Sequence, residues 1–329
     1  MRTDLHIGTV GSGVVNHDPD DYDLDTRFRM VKECGVFDYY EKIPAPGEID
    51  LYLKTRDRYQ LPIRAGSFYY VLGRDESLLG WHLRVAKELG SIVQNVQIQT
   101  HDFDGALVTD ERLAETYLWA AELGEQLGVA PCFEVHVNMW SANFARVVRV
   151  GELVEALGVK FNITLDHSHV IFKIDNPAEQ EIQGLRAEID SGAVELDPYK
   201  PGSVCSTWLE RNYVQHAHAR AAVPANPLNT WATHPDGSYG RGIQYPFIRP
   251  RDGEWHSPWD ERRLEPWKDV VRQLLRYHAT HSDSCLGQIT TEFIPYADYG
   301  GGARYSIFEN NVACARWIRE TWSAIQVSS

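Results

Sequence analysis

No apolar run in this sequence is long enough to span a bilayer, and its start, MRTDLHIGTVGSG, has neither a basic stretch nor the apolar core of a secretory signal. Membrane association and export are set aside on that ground, and a cytoplasmic protein is expected. Cysteine is scarce: Cys34, Cys132, Cys205, Cys285 and Cys314 are odd in number, widely spaced and never arranged as C-x-x-C, which fits reduced thiols rather than a disulfide framework. Positive charge is also short, with 32 Lys and Arg against 46 Asp and Glu and a net charge of −14. Such a field repels phosphate backbones, so nucleic acid is excluded as a partner. A glycine-rich phosphate loop leading straight into a helix is missing too. Gly11-Ser12-Gly13 runs instead into the acidic segment HDPDDYD, which argues against an open doubly wound nucleotide-binding sheet.

What is present is core-forming material: 43% of the 329 residues are hydrophobic and 11% aromatic, enough for one large barrel domain over residues 1–329. Short β-rich runs alternate with longer amphipathic segments along the whole chain. The runs are Leu5 to Val10, Gly35 to Ile43, Leu61 to Tyr70, Ser91 to Thr100, Pro131 to Val137, Phe161 to Asp166, Tyr213 to Ala219 and Gly287 to Ile294. Between them, helices are predicted over Leu24 to Cys34, Ile49 to Tyr59, Ser77 to Leu89, Asp110 to Leu127, Ala142 to Leu157 and near Ala178 to Ile189. Eight such repeats predict a closed (β/α)8 TIM barrel.

One connection breaks the rhythm. Residues 221–261, rich in Pro, Gly, Trp and Arg, are far longer than an ordinary connection and too aromatic for a solvated linker. This segment is expected over the C-terminal face of the barrel or against a partner chain.

Four of the apolar runs end in residues that bind metals: Glu134 in PCFEVHVN, Asp166 in NITLDHSH, His216 and His218 in YVQHAHAR, and Glu292 in QITTEFIP. A carboxylate buried in an apolar strand is costly without a partner. Two Glu, one Asp and one His converging at the strand ends describe an open site for a hard or borderline divalent cation, Mn2+ or Mg2+. The bland reading is a network of buried ion pairs. His216 and His218 lie two apart and point the same way, so spacing alone leaves either as the ligand. His136, two residues after Glu134, faces the same side of its strand, and an imidazole there suits general-base work. His101 ends the fourth run and is a further candidate for contacting a bound molecule.

Taken in order, Phe133-Glu134, the D-x-x-H of Asp166 to His169, His216-Ala217-His218 and Glu292 in TTEF resemble the ligand motifs of the xylose isomerase-like TIM-barrel superfamily. That superfamily includes ketose 3-epimerases, inosose dehydratases and endonuclease IV-type enzymes, and the resemblance covers most of the chain. It implies Glu134, Asp166, His218 and Glu292 as metal ligands, with His169 touching substrate. His216 and Arg220 join His169 and His101 as candidate substrate-binding residues. Arg220 follows His218 by only two residues, whereas the epimerase spacing from His218 to a substrate-holding Arg reaches Pro224 here.

Within the superfamily, His136, the aromatic 221–261 segment and the ten tryptophans look like the larger subunit of bacterial C-glycoside deglycosidases. That resemblance implies Mn2+, a small β-sheet partner subunit in a hetero-oligomer, and cleavage of the C–C glycosidic bond of 3-oxo-glucosyl phenolics, with His136 taking the proton from sugar C2. The rival is a sugar isomerase or ketose 3-epimerase in which Glu134 and Glu292 move the proton. An endonuclease IV-like phosphodiesterase requires three metals with further His and Asp ligands and a basic groove, which the charge of −14 opposes.

Overall fold

The computed structural model describes residues 5–182 and 184–328. Eight parallel strands close into a barrel: β1 His6–Val10, β2 Tyr39–Glu41, β3 Ile63–Tyr70, β4 Val93–Ile98, β5 Ala130–Val135, β6 Ile163–Asp166, β7 Val214–Ala219 and β10 Gln288–Thr291. A two-stranded hairpin, β8 Asn229–Thr233 and β9 Tyr239–Gly240, lies outside the barrel. The order around the barrel is β1-β10-β7-β6-β5-β4-β3-β2, so the predicted (β/α)8 architecture is the one observed.

The outer helices are α1 Leu24–Glu33, α2 Ile49–Tyr59, α3 Glu76–Leu89, α4 Asp110–Leu127, α5 Phe144–Glu155, α10 Glu265–Thr280 and α11 Ile307–Ser328. Local chemistry sets their ends. The Asp23 carboxylate caps α1 by accepting from Thr26 N, and the Thr109 hydroxyl does the same for α4 through Arg112 N. Gly90 and Gly128 end α3 and α4 at φ +86° and +73°, a left-handed conformation that a side chain resists.

Between β6 and β7 the sequence reading needs correction. In place of one helix near 178–189 stand four short ones: α6 Ser168–Ile171, α7 Pro177–Ile182, α8 Arg186–Asp190 and α9 Val204–Glu210. Pro177 opens α7, and Gly184 at φ +65° separates it from α8. The second run also shrinks, to three strand residues in β2.

Pleating sends alternate residues into the barrel interior. Tyr39, Ala65, Val93 and Cys132 pack there as one apolar cluster at the lower end. Gly8 makes room for it, since a Cβ at that position would stand 2.3 Å from the Tyr39 ring. Above this floor the interior turns polar, and the register sets Asp166 beside His218 and His218 beside Thr290.

His167, one residue past β6, is 1% exposed and stacks on Trp267 of α10 with ring centroids 4.9 Å apart. Burial lowers its pKa from 6.5 to about 4. A folded-state pKa below the unfolded value means that the unfolded chain binds the extra proton, so stability is fully present above pH 6.5 and is lost as pH falls toward 4. Thermal melts across that window are expected to show a falling midpoint, with His167 contributing up to about 1.4 kcal/mol per pH unit. His167→Gln is expected to flatten the dependence, and a slope that this change leaves unaltered would refute the assignment.

Candidate metal centre

Glu134, Asp166, His218 and Glu292, from four different strands or strand ends, each offer a ligand atom, and these atoms all lie within 4.8 Å of one another. β5, β6 and β7 carry the first three, and Glu292 follows β10 directly. Glu134, Asp166 and His218 are fully buried, while the Glu292 side chain is 12% exposed and so faces the open end.

Each carboxylate is held in a defined orientation. Glu134 Oε2 accepts from Asn95 Nδ2 at 2.5 Å and from Gln97 Nε2 at 2.6 Å, which leaves Oε1 toward His218 Nδ1 at 3.1 Å. Asp166 Oδ1 accepts from the Ser168 amide at 3.0 Å and the Ser168 hydroxyl at 2.6 Å. Its other oxygen, Oδ2, accepts from Arg220 Nη2 at 2.5 Å and lies 3.1 Å from His169 Nε2. Glu292 Oε2 accepts from Arg220 Nη2 at 2.6 Å and lies 3.0 Å from His218 Nδ1.

The electrostatics fit a cation. Glu41, Glu134, Asp166 and Glu292 crowd one interior, with Arg220 as the only guanidinium paired to them among the described residues. Desolvation alone would lower the His218 pKa, yet Glu292, Glu41 and Glu134 raise it well above 6.5. Burial would likewise raise the Asp166 carboxyl, but Arg220 and His169 hold it well below its ordinary range. Four buried carboxylates against the Arg220 guanidinium and a protonated His218 still leave an excess of negative charge that suits a divalent ion. Three carboxylates and one imidazole are the donor types that Mn2+ and Mg2+ take.

The predicted ligand set is therefore brought together, and His169 stands beside it. His136 lies past the end of β5, with its ring centroid 4.2 Å from that of His169. Its Nδ1 donates to the Val137 carbonyl at 2.6 Å, which leaves Nε2 unprotonated and 3.2 Å from the Tyr299 hydroxyl. Burial first, then His169, push its pKa down to about 3, so the ring is neutral at physiological pH.

Arg220 bonds Asp166, Glu292 and the Glu292 carbonyl through Nε and Nη2 and stacks 4.2 Å over the Tyr299 ring, while its Nη1 has no hydrogen-bond partner among the described residues. Two expectations need revision. His216 is fully buried one layer below His218 and turns its Nε2 to Glu41, away from the open end. His101 is exposed beyond β4 in a bridge to Leu107, and the interior positions of that strand belong to Asn95 and Gln97. Sequence reasoning missed Glu41, Asn95, Gln97 and Tyr299. The period-2 polar alternation of Asn95, Gln97 and Gln99 within an apolar run was a signal for the two amides.

The 221–261 segment contains the β8–β9 hairpin and is tied to the connection that follows β10. Asn229 Nδ2 donates to the carbonyls of Ala297, Tyr299 and Gly301, and His234 Nε2 meets Asp298 at 2.7 Å. Arg241 pairs with Glu179 of α7 and donates to Asn138 Oδ1 just past His136. These bonds hold the backbone around Tyr299 in place.

No protein-family model matches the sequence, and no curated protein matches it. Solved structures do match. D-psicose 3-epimerase with D-tagatose from Clostridium cellulolyticum H10 is 13% identical, with 98% of this chain and 99% of that chain covered at a TM-score of 0.54. A xylose isomerase-like TIM barrel protein from Mycobacterium smegmatis in complex with magnesium is 11% identical, with 98% of each chain covered at 0.57. 3-keto-D-glucoside 4-epimerase from E. coli is 12% identical, with 96% of this chain and 99% of that chain covered at 0.52. The likeness at these identities is one of fold.

Proposed function

We propose that this chain is a divalent-metal-dependent enzyme that removes a proton next to a sugar carbonyl, working as an isomerase or epimerase. The observation that carries the reading is the cluster of Glu134, Asp166, His218 and Glu292, with both glutamates within 3.1 Å of the same His218 nitrogen. Two structurally similar proteins are named as sugar epimerases and a third was solved with magnesium, which supports the substrate class and the type of metal.

A bound divalent ion supplies Lewis acidity to a sugar carbonyl and its neighbouring hydroxyl. The protein provides the rest. Glu134 and Glu292 approach from different strands, so one takes the proton from carbon while the other returns one. Asn95 and Gln97 fix the outer oxygen of Glu134 and keep the inner one aimed at the cluster. His169, beside Asp166, is placed to hold a substrate hydroxyl.

A second reading rests on His136. Its bare Nε2 beside the Tyr299 hydroxyl forms a base and acid pair outside the ligand set, as an elimination that releases an aromatic aglycone from a 3-oxo-glucoside requires. In that reading His136 removes the proton from sugar C2, the hydroxyl side protonates the departing carbon, and a small β subunit completes the enzyme.

Assays with Mn2+ or Mg2+ separate the two. Given free ketoses and a 3-oxo C-glucoside, the chain is expected to form epimers, and His136→Ala is expected to leave epimer formation within a fewfold of wild type. Aglycone release that His136→Ala abolishes, without any epimer formed from ketoses, would replace the first reading by the second.

A further inference from the structure

We infer that Glu41, at the end of β2, is a positioning residue that determines which nitrogen His218 presents to a metal, an inference that rests on the metal reading above. Glu41 is 2% exposed and reaches across the barrel interior to β7, three places away around the strand order. Its Oε1 lies 2.9 Å from His218 Nε2, and its Oε2 lies 3.1 Å from His216 Nε2. Oε2 also accepts from the Thr290 hydroxyl at 2.5 Å, and the Tyr39 hydroxyl stands 2.7 Å from Thr290 Oγ1.

The directions of these bonds follow from what each group can do. An ionised carboxylate only accepts, so both Nε2 atoms must carry their protons. Thr290 spends its single proton on Glu41 and therefore accepts from Tyr39. The chain of donors runs Tyr39 to Thr290 to Glu41, and His216 takes a further acceptor site on the same oxygen. Glu41 is thus held by β7 and β10 and cannot turn away from His218.

The consequence falls on the other face of the His218 ring. With Nε2–H committed to Glu41, the nitrogen facing Glu134 and Glu292 is Nδ1, at 3.1 and 3.0 Å. Between two carboxylates Nδ1 carries a proton as well, and a divalent ion would take that proton's place on the Nδ1 lone pair, which is already aimed at the ligand cluster. A carboxylate behind a metal-binding imidazole fixes its tautomer and raises its basicity, and loss of such a partner weakens metal affinity about 10–100-fold. This also gives His216 a purpose as a brace for Glu41 instead of a substrate contact. Glu41, His216 and His218 offer three ligand atoms close enough to hold an ion themselves, so metal stoichiometry is part of the test.

Mn2+ binding to wild type, Glu41→Gln and Glu41→Ala is measured by titration calorimetry, with circular dichroism confirming the fold of each. The isosteric Gln keeps the shape if Ala unfolds. One Mn2+ per chain is expected for wild type, with Kd raised about tenfold in Glu41→Gln and up to about 100-fold in Glu41→Ala. In 15N-histidine spectra of the Zn2+-loaded protein, His218 is expected to carry its proton on Nε2 in wild type and to lose that single form in the variants. Wild-type binding with Kd and 15N shifts unchanged by Glu41→Gln would overturn this inference alone, as would a second ion lost with Glu41. No binding by wild type would overturn the metal reading and this inference with it.

Discussion

Asp166→Asn is expected to remove bound divalent metal and to lower turnover by about two to three orders of magnitude. The Ser168 amide and hydroxyl pin Oδ1, so the substituted side chain keeps its oxygen there and places its amide nitrogen where Oδ2 was. That nitrogen then faces Arg220 Nη2, donor against donor, in a fully buried position. Leaving a buried charge without its partner costs about 3–5 kcal/mol, and a loss of that size in the metal site corresponds to roughly 10^2 to 10^4 in metal affinity. Calorimetry with Mn2+, metal content after dialysis and ketose turnover measure the loss, while circular dichroism reports on the fold. Full metal occupancy with a rate within tenfold of wild type would remove Asp166 from the ligand set.

Such a ligand was visible in the sequence because it closes a short apolar run, where nothing but a partner makes an acid tolerable. Asp166, Glu134 and Glu292 all carry that signal, and the (β/α)8 rhythm told which ends meet. Glu41 carries it less clearly. It stands in VFDYYEKI between Asp38 and Lys42, and its strand is only three residues long, so neither run length nor alternation marks it. The four helices between β6 and β7 were illegible for a related reason, since segments of four to seven residues barely complete the turns that a 3.6-residue period needs. The pairing of Arg220 lay beyond sequence reading altogether. It depends on Tyr299, whose place is set by the bonds of Asn229 and by the loop around Asp298.

Glu292→Gln separates metal binding from proton transfer. Glu292 alone among the four ligand side chains reaches the open end, and its Oε2 is engaged by Arg220 while the Glu292 carbonyl anchors the same guanidinium through Nε. A glutamine keeps an oxygen donor for Arg220 and for a metal, yet cannot take or deliver a proton at neutral pH. Metal affinity is therefore expected to fall less than in Asp166→Asn, the KM for a ketose to stay within a fewfold, and kcat to drop about 10^2 to 10^4-fold, the range for loss of a general acid or base. Exchange of the substrate C–H with solvent deuterium, followed by NMR, is expected to slow in parallel. The comparison with His136→Ala then decides between the two chemistries, because the epimerase reading places the proton on the glutamates and the elimination reading places it on His136. If Glu292→Gln keeps its metal and its kcat while His136→Ala loses turnover, the glutamates are ligands only, and the second reading stands.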